Sequence, residues 1–125
     1  MLETNFDGTI ERGYAGSSIF YDNNEFRGDM ELIRQYARLL ASVGINAVSI
    51  NNVNVHKYER FFITADFLKE IKKTGNIFTA YGIKIFLAID FAAPLSVGKL
   101  PTADPLCPEV ASWWKKTVEE LSDCR

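Results

Sequence analysis

Two stretches of the chain share one plan and decide its fold: YARLLASVGINAVSINNVN, residues 36–54, and IFTAYGIKIFLAIDFAAP, residues 77–94. In each, the end of an amphipathic helix is followed by Gly-Ile, a short apolar strand, and then polar or small residues. Gly44 and Gly82 stand where a helix ends in a left-handed residue, a conformation that glycine adopts without steric cost. The interval between them holds one helix, one strand and two loops, which is the repeat of an α/β fold.

Three segments have the pattern of amphipathic helices. The first begins after Asp29, a favourable capping residue, and runs to about Val43. The second begins after Thr64, and Gly75-Asn76 predicts a kink or break in its middle. The third opens with Pro108 at a first helical position. The predicted apolar stripes are Leu32, Ile33, Tyr36, Leu39, Leu40 and Val43 in the first helix, Phe67, Leu68, Ile71 and Phe78 in the second, and Val110, Trp114, Val118 and Leu121 in the third.

The strands NAVSI, residues 46–50, and KIFLAID, residues 84–90, should be parallel neighbours joined by a right-handed crossover. The predicted fold class is therefore α/β, with two to three parallel strands and three helices. Two parallel strands alone leave apolar edges uncovered, and parallel sheets are normally wide and covered on both faces. Either the opening segment adds a strand, or residues 1–125 are a single incomplete domain from a larger protein.

Composition excludes several function classes. A formal net charge of -2 over 125 residues gives no reason to expect nucleic acid or an anionic membrane as a partner. No run approaches the roughly 18 apolar residues of a spanning helix, and the first residues lack the pattern of a signal peptide, so a cytoplasmic location is the default expectation. Cys107, Cys124 and His56 do not suffice for a structural metal site. No phosphate-binding glycine pattern is present, and no cofactor is predicted.

The loops that leave the two strands are the places to expect chemistry, because ligands of βα folds bind at the carboxyl ends of the strands. The first loop contains Asn51, Asn52, Val53 and Asn54, and the second begins at Asp90. Asparagine amides hydrogen-bond sugar hydroxyls in both directions, and a carboxylate can orient a hydroxyl or serve in acid–base catalysis. The alternative is structural: the amides tie loops together and Asp90 caps backbone amides.

Four segments in order resemble the α-glucuronidases of glycoside hydrolase family 67: NFDGTIERGYAGSSIF, YARLLASVGINAVSINNVNV, YGIKIFLAIDFAAP and TADPLCPEVASWW. The resemblance covers nearly the whole chain. It implies an early part of a (β/α)₈ barrel, with NAVSI as the second strand and KIFLAID as the third. It also implies a family that removes 4-O-methylglucuronic acid, with inversion, from short xylan fragments, and whose members tend to be dimers.

The resemblance implies substrate-binding residues but no catalytic ones. Asn51, Asn52, Val53 and Asn54 match the loop after the second strand, where Val53 would contact the glucuronic acid ring. A second set, Glu11, Arg12 and Tyr14, matches a loop that lines the same mouth. The glutamate that serves as general acid in the family would lie on a fourth strand, beyond Arg125. The family's first strand ends in a tryptophan that Leu2–Asn5 lacks.

Two hypotheses about function follow. The first is a fragment of an α-glucuronidase, inactive by itself, whose substrate class is a xylo-oligosaccharide bearing glucuronic acid. The second is a non-catalytic α/β module for binding or assembly. Both predict a homo-oligomer, because uncovered strand edges and a large apolar patch favour self-association.

Overall fold

The computed structural model describes residues 18–22, 25–51 and 58–122. Within these ranges the chain is a mixed α/β structure, in which helices pack beside a small parallel sheet. The elements in chain order are β1 (Tyr21–Asp22), β2 (Glu25–Phe26), α1 (Met30–Ser42), β3 (Ala47–Ser49), a 3₁₀ helix (Glu59–Ile63), α2 (Ala65–Ala80), β4 (Lys84–Phe86), α3 (Ala93–Ser96) and α4 (Pro108–Ser122). None of the helices in these ranges is long and apolar enough to cross a membrane.

The predicted parallel pair of strands is confirmed. Strands β3 and β4 are parallel neighbours, with Val48 opposite Ile85. Backbone hydrogen bonds extend the ladder by one step at each end, from Lys84 N to Asn46 O and from Ile50 N to Phe86 O. Strands β1 and β2 form a separate antiparallel hairpin. Residues 1–17, where a further strand was an alternative, lie outside the described residues.

Helix α1 confirms its predicted start but not its whole apolar stripe. The Asp29 carboxylate accepts a hydrogen bond from Leu32 N, and the helix gives way to Gly44 at a φ of 82°. Ile33 and Ala37 are buried in the core. Leu39 and Val43 are 58% and 67% exposed, so their place in the stripe was wrong. At about 100° per residue, both point away from the face that Ile33 and Ala37 set.

Helix α2 runs without interruption through Gly75-Asn76, so the predicted kink or break was wrong. Tertiary packing outweighs the weak local propensity of these residues. Thr74 and Phe78 are buried on either side of Gly75, and a Cβ at that glycine would lie 3.9 Å from the Ile85 side chain. The inward face is as predicted: Leu68, Ile71 and Phe78 are buried, and Phe67 packs against them.

An aromatic cluster joins the hairpin to the helices. Phe62, 0% exposed, lies at its centre, with its ring centroid 5.3 Å from Phe26 and 5.6 Å from Phe67. Tyr21 meets the Phe62 ring edge-on at 6.0 Å. Tilted and edge-on rings at these distances stabilise more than their buried area alone provides. The cluster therefore fixes the 3₁₀ helix between the hairpin and α2.

Helix α4 starts at Pro108 as predicted, but its predicted apolar face is only partly right. Val110 is buried, whereas Val118 is 52% exposed. Trp113 and Trp114 are both half-buried and meet edge-on, with ring centroids 4.8 Å apart. Neither ring is enclosed, because α4 packs mainly on the small α3 region rather than on the central core.

An apolar groove of about 550 Å³ runs beside β4. One wall is a stripe of α2 in which Leu68 and Ile71 are joined by polar residues such as Lys72, the other is β4 with the residues that follow it, and Leu121 of α4 also lines the groove. Phe86, in this groove, is 58% exposed. The groove is thus an apolar surface that the described residues leave uncovered.

Candidate functional site at the carboxyl edge of the parallel strands

Strands β3 and β4 end side by side, and the residues after them form one edge. Ile50 and Asn51 follow β3, and residues 87–90 follow β4. Ile50 is 2% exposed and continues the ladder toward Phe86 O, so the two exits stay in register past the strands. In folds of parallel strands this edge is where ligands bind. The geometry therefore brings the two predicted loop starts together.

Asn51 is bound to the main chain of the neighbouring exit segment. Its Oδ1 accepts a hydrogen bond of 2.8 Å from Ala88 N, and its Nδ2 donates one of 3.0 Å to Ala88 O. The residue is 6% exposed, and its own carbonyl oxygen accepts a hydrogen bond from Ser49 Oγ. The side-chain amide thus pairs with a peptide unit as another backbone would. This geometry matches the structural role considered from the sequence.

Asp90 is held through both of its carboxylate oxygens, by one hydrogen bond and one ion pair. Oδ1 accepts a hydrogen bond from Ala92 N at 2.9 Å, and Oδ2 lies 3.6 Å from Nε of Arg60. The Asp90 side chain is 14% exposed and that of Arg60 is 33% exposed. The hydrogen bond from Ala92 N begins a short turn at Asp90, and the ion pair connects Arg60 of the 3₁₀ helix to that turn.

Glu59 is a buried carboxylate that the sequence analysis left without a role. It is 1% exposed, and Tyr21 Oη donates a hydrogen bond of 3.2 Å to its Oε1. Burial raises the pKa of Tyr21 well above its ordinary value, and the negative charge of Glu59 and this hydrogen bond raise it further. Tyr21 therefore keeps its hydroxyl proton and remains a hydrogen-bond donor to Glu59. The one signal in the sequence was the apolar run FFI, residues 61–63, which begins two residues after Glu59 and is typical of a buried segment.

Only part of the predicted substrate-binding set lies within the described ranges. Asn51 is there, at the edge and facing Ala88. The other members of the set lie outside the described residues: Asn52, Val53, Asn54, Glu11, Arg12 and Tyr14. Phe91, which follows Asp90 in the turn, is 85% exposed and presents an aromatic ring at the same edge. Across the described ranges, no group of three or more histidine, cysteine or acidic side chains is placed to hold a metal ion.

Comparison with known proteins identifies the family. The sequence model of the glycosyl hydrolase family 67 middle domain matches residues 3–124. The chain belongs to this family. The resemblance inferred from the four segments is thereby confirmed, and the edge just described is part of a family 67 middle domain.

The curated relatives of this family 67 chain carry the name α-glucuronidase. It is 44% identical over 119 residues to the probable alpha-glucuronidase A of Aspergillus oryzae, across 95% of this chain. It is 42% identical over 114 residues to the alpha-glucuronidase A of Emericella nidulans, across 91% of this chain. The chain spans only 14% of the first relative and 13% of the second. The activity of the whole relatives is therefore a proposal for this chain.

Proposed function

We propose that this chain is a segment of an α-glucuronidase that removes (4-O-methyl)glucuronic acid from xylo-oligosaccharides by inverting hydrolysis. The observation that carries the proposal is the match to the family 67 middle domain over residues 3–124, together with relatives named alpha-glucuronidase. The paired carboxyl ends of β3 and β4 support it, since this edge is where βα folds bind ligands.

The fold proposed for the whole protein is a (β/α)₈ barrel, of which residues 1–125 form early βα units within a single incomplete domain. The parallel pair β3–β4 supports this, because α2 connects the two strands as a barrel helix does. The uncovered groove beside β4 supports it as well. A further strand and its helix would cover Phe86 and bury the groove.

The proposed sugar wall consists of the residues that the family resemblance implies, with no catalytic group among them. Its members are Asn51, Asn52, Val53, Asn54, Glu11, Arg12 and Tyr14. An inverting glycosidase needs an acid and a base about 6.5–9.5 Å apart, both able to reach the scissile bond. Asp90 is occupied by Ala92 N and Arg60, and Glu59 is buried beside Tyr21. We therefore expect the isolated chain to release no glucuronic acid.

The test is a chimera in which residues 3–124 replace the matching segment of the Aspergillus oryzae relative. Released glucuronic acid is measured on aldouronic acids, with the unmodified relative as the control. We expect the chimera to retain the activity and the purified 125-residue chain to show none. A chimera that melts cooperatively, as the relative does, but releases no sugar would overturn the proposal.

A second candidate, an assembly module without catalysis, is favoured by the uncovered apolar surface. Phe86 in the groove and Phe91 at the edge are 58% and 85% exposed, and such patches drive self-association. A homo-oligomer formed through the strand edges is the corresponding proposal, and light scattering that shows a monomer at every concentration would overturn it. The cytoplasmic location predicted from the sequence stays a prediction.

A further inference from the structure

We propose that Arg60 binds the carboxylate of the uronic acid at the carboxyl edge of the parallel strands and so selects acidic over neutral sugars. This inference rests on the proposed function and deepens it, since it assigns a recognition group to the acidic part of the substrate. The observations that carry it are the position of Arg60 beside the β4 exit, its ion pair with Asp90, and the exposure of its two terminal nitrogens.

The 3₁₀ helix turns Glu59 and Arg60 to different sides. Successive residues of such a helix are about 120° apart. Glu59 is 1% exposed and accepts a hydrogen bond from Tyr21 of the hairpin, whereas the Arg60 side chain is 33% exposed and lies beside Asp90. The helix thus places a partly exposed cation against the residues that follow β4, at the edge where βα folds bind ligands.

The ion pair with Asp90 orients the guanidinium group. Arg60 Nε lies 3.6 Å from Asp90 Oδ2, and Oδ1 of the same carboxylate accepts a hydrogen bond from Ala92 N. The Nε atom is buried and makes no hydrogen bond with the described residues, so the contact is purely that of two opposite charges. Arg60 is therefore held against an anchored anion before a ligand arrives, which reduces the entropy that binding has to remove.

The terminal nitrogens of Arg60, Nη1 and Nη2, are the part of the side chain left for a ligand. Within residues 18–22, 25–51 and 58–122 neither makes a hydrogen bond, and Nε is the buried atom of this side chain that lacks one. Nη1 and Nη2 are therefore open to solvent. Their planar fork of N–H donors matches the two oxygens of a carboxylate, which is the reason why arginine binds carboxylates bidentately.

The alternative is an arginine whose role ends with the Asp90 pair. Partly exposed ion pairs contribute little to stability, so the fold gains little from this arrangement alone. A uronic acid differs from its neutral sugar by a carboxylate in place of a hydroxymethyl group, and the terminal nitrogens of Arg60 fit that group. Asp90 cancels the net charge of the site. Selectivity therefore has to come from short charge-assisted hydrogen bonds rather than from long-range attraction.

The experiment measures dissociation constants by calorimetry on the chimera that carries residues 3–124. The probes are glucuronic acid and glucose. For Arg60→Met we expect the Kd for glucuronic acid to rise by about 10- to 100-fold, because hydrogen bonds to a charged group are lost. The Kd for glucose should rise much less, so the preference for the acid, as the ratio of the two constants, should fall by about tenfold.

Two further variants sharpen this measurement. Arg34→Met is the matched control, because Arg34 pairs with Glu31 on the surface of α1, and it should leave both constants unchanged. Arg60→Lys keeps the positive charge but replaces the planar fork with a single ammonium group, so the ratio should fall by only about threefold. If Arg60→Met fails to fold, the ratio in Arg60→Lys decides the question.

The ratio separates recognition from a purely structural role. If Arg60 only supports the fold, Arg60→Met weakens the binding of both sugars equally, and an unchanged ratio overturns the inference even where the melting temperature falls. Release of glucuronic acid from aldouronic acids tests the function separately. An active chimera with an unchanged ratio keeps the function and loses the inference. A folded chimera that neither releases sugar nor prefers the acid overturns both.

Discussion

The carboxyl edge of the parallel strands and the groove beside β4 lie close together but are built in opposite ways. At the edge, polar side chains such as Asn51 and Glu59 are buried, and hydrogen bonds within the described residues engage them. In the groove, apolar side chains such as Phe86 remain exposed. Buried polar groups in proteins are hydrogen-bonded, whereas a large exposed apolar surface marks a site where another protein surface packs. The polar groups of the edge are therefore hydrogen-bonded within the described residues, while the apolar side chains of the groove would be buried only by a surface outside them.

The largest effect should follow from removing the aromatic side chain that holds the edge against the helices. Phe62 is 0% exposed and contacts the rings of Tyr21, Phe26 and Phe67. Phe62→Ala should lower the free energy of unfolding by about 3–5 kcal/mol, because the cavity cannot close without moving the hairpin. Urea unfolding of the purified chain, followed by circular dichroism, measures this loss.

Phe91→Ala is the matched control, since it removes the same side chain from a site that is 85% exposed. We expect a change within about 0.5 kcal/mol for this variant. Similar losses in the two variants would break the comparison, because they would show that the aromatic cluster does not secure the edge.

A smaller loss should follow from Tyr21→Phe, which removes one donor from the buried carboxylate of Glu59 and leaves the ring in place. The expected cost is about 1–3 kcal/mol, the range for withdrawing a hydrogen bond from a buried polar group. Tyr36→Phe provides the control, since that ring also packs against the core cluster. Equal costs would show that the Tyr21–Glu59 bond adds nothing specific to the edge.

The same pair predicts a dependence on pH with a definite sign. The folded state raises the pKa of Tyr21, so its contribution to stability is fully present below the unfolded value of about 10 and is lost as the pH rises above it. The stability difference between the chain and its Tyr21→Phe variant should therefore shrink above about pH 10. A difference that stays constant up to pH 11 would contradict this account.

The elements of the fold could be predicted from the sequence, because the patterns that indicate them involve residues close together in the chain. Asp29 caps α1, Gly44 and Gly82 end helices at positive φ, and the apolar strands between polar loops are parallel neighbours. The errors arose where tertiary packing determines whether a residue is helical or buried. Gly75 lies in a continuous helix whose neighbouring residues Thr74 and Phe78 are buried, and the exposure of Leu39 depends on which face the rest of the chain covers.

The candidate site was harder to predict from the sequence, because its contacts join residues far apart in sequence. Asparagine after a strand predicts a polar edge, but it does not predict which main-chain group the amide will meet. The bond from Asn51 to Ala88 depends on the register of β3 against β4, which a single sequence leaves open. The role of Glu59 depends on Tyr21, in a hairpin that the sequence analysis did not predict.

The smallest effect on stability, and the sharpest test of the groove, is expected from Phe86→Lys. Because Phe86 is 58% exposed, the free energy of unfolding of the monomer should change by no more than about 0.5 kcal/mol. Self-association should nevertheless weaken, since a charge in an apolar contact must be desolvated, and lysine on a strand edge opposes pairing with a second chain. Light scattering across a concentration series measures the change in mass.

Leu106→Lys is the control for Phe86→Lys, because Leu106 is 88% exposed and does not line the groove. If both variants reduce association equally, apolar exposure in general drives it, and the groove has no special part. If only Phe86→Lys does so, the groove is the contact surface. The difference between edge and groove then extends to assembly: hydrogen bonds within the chain satisfy the polar groups of the edge, and the groove provides the surface on which a second copy packs.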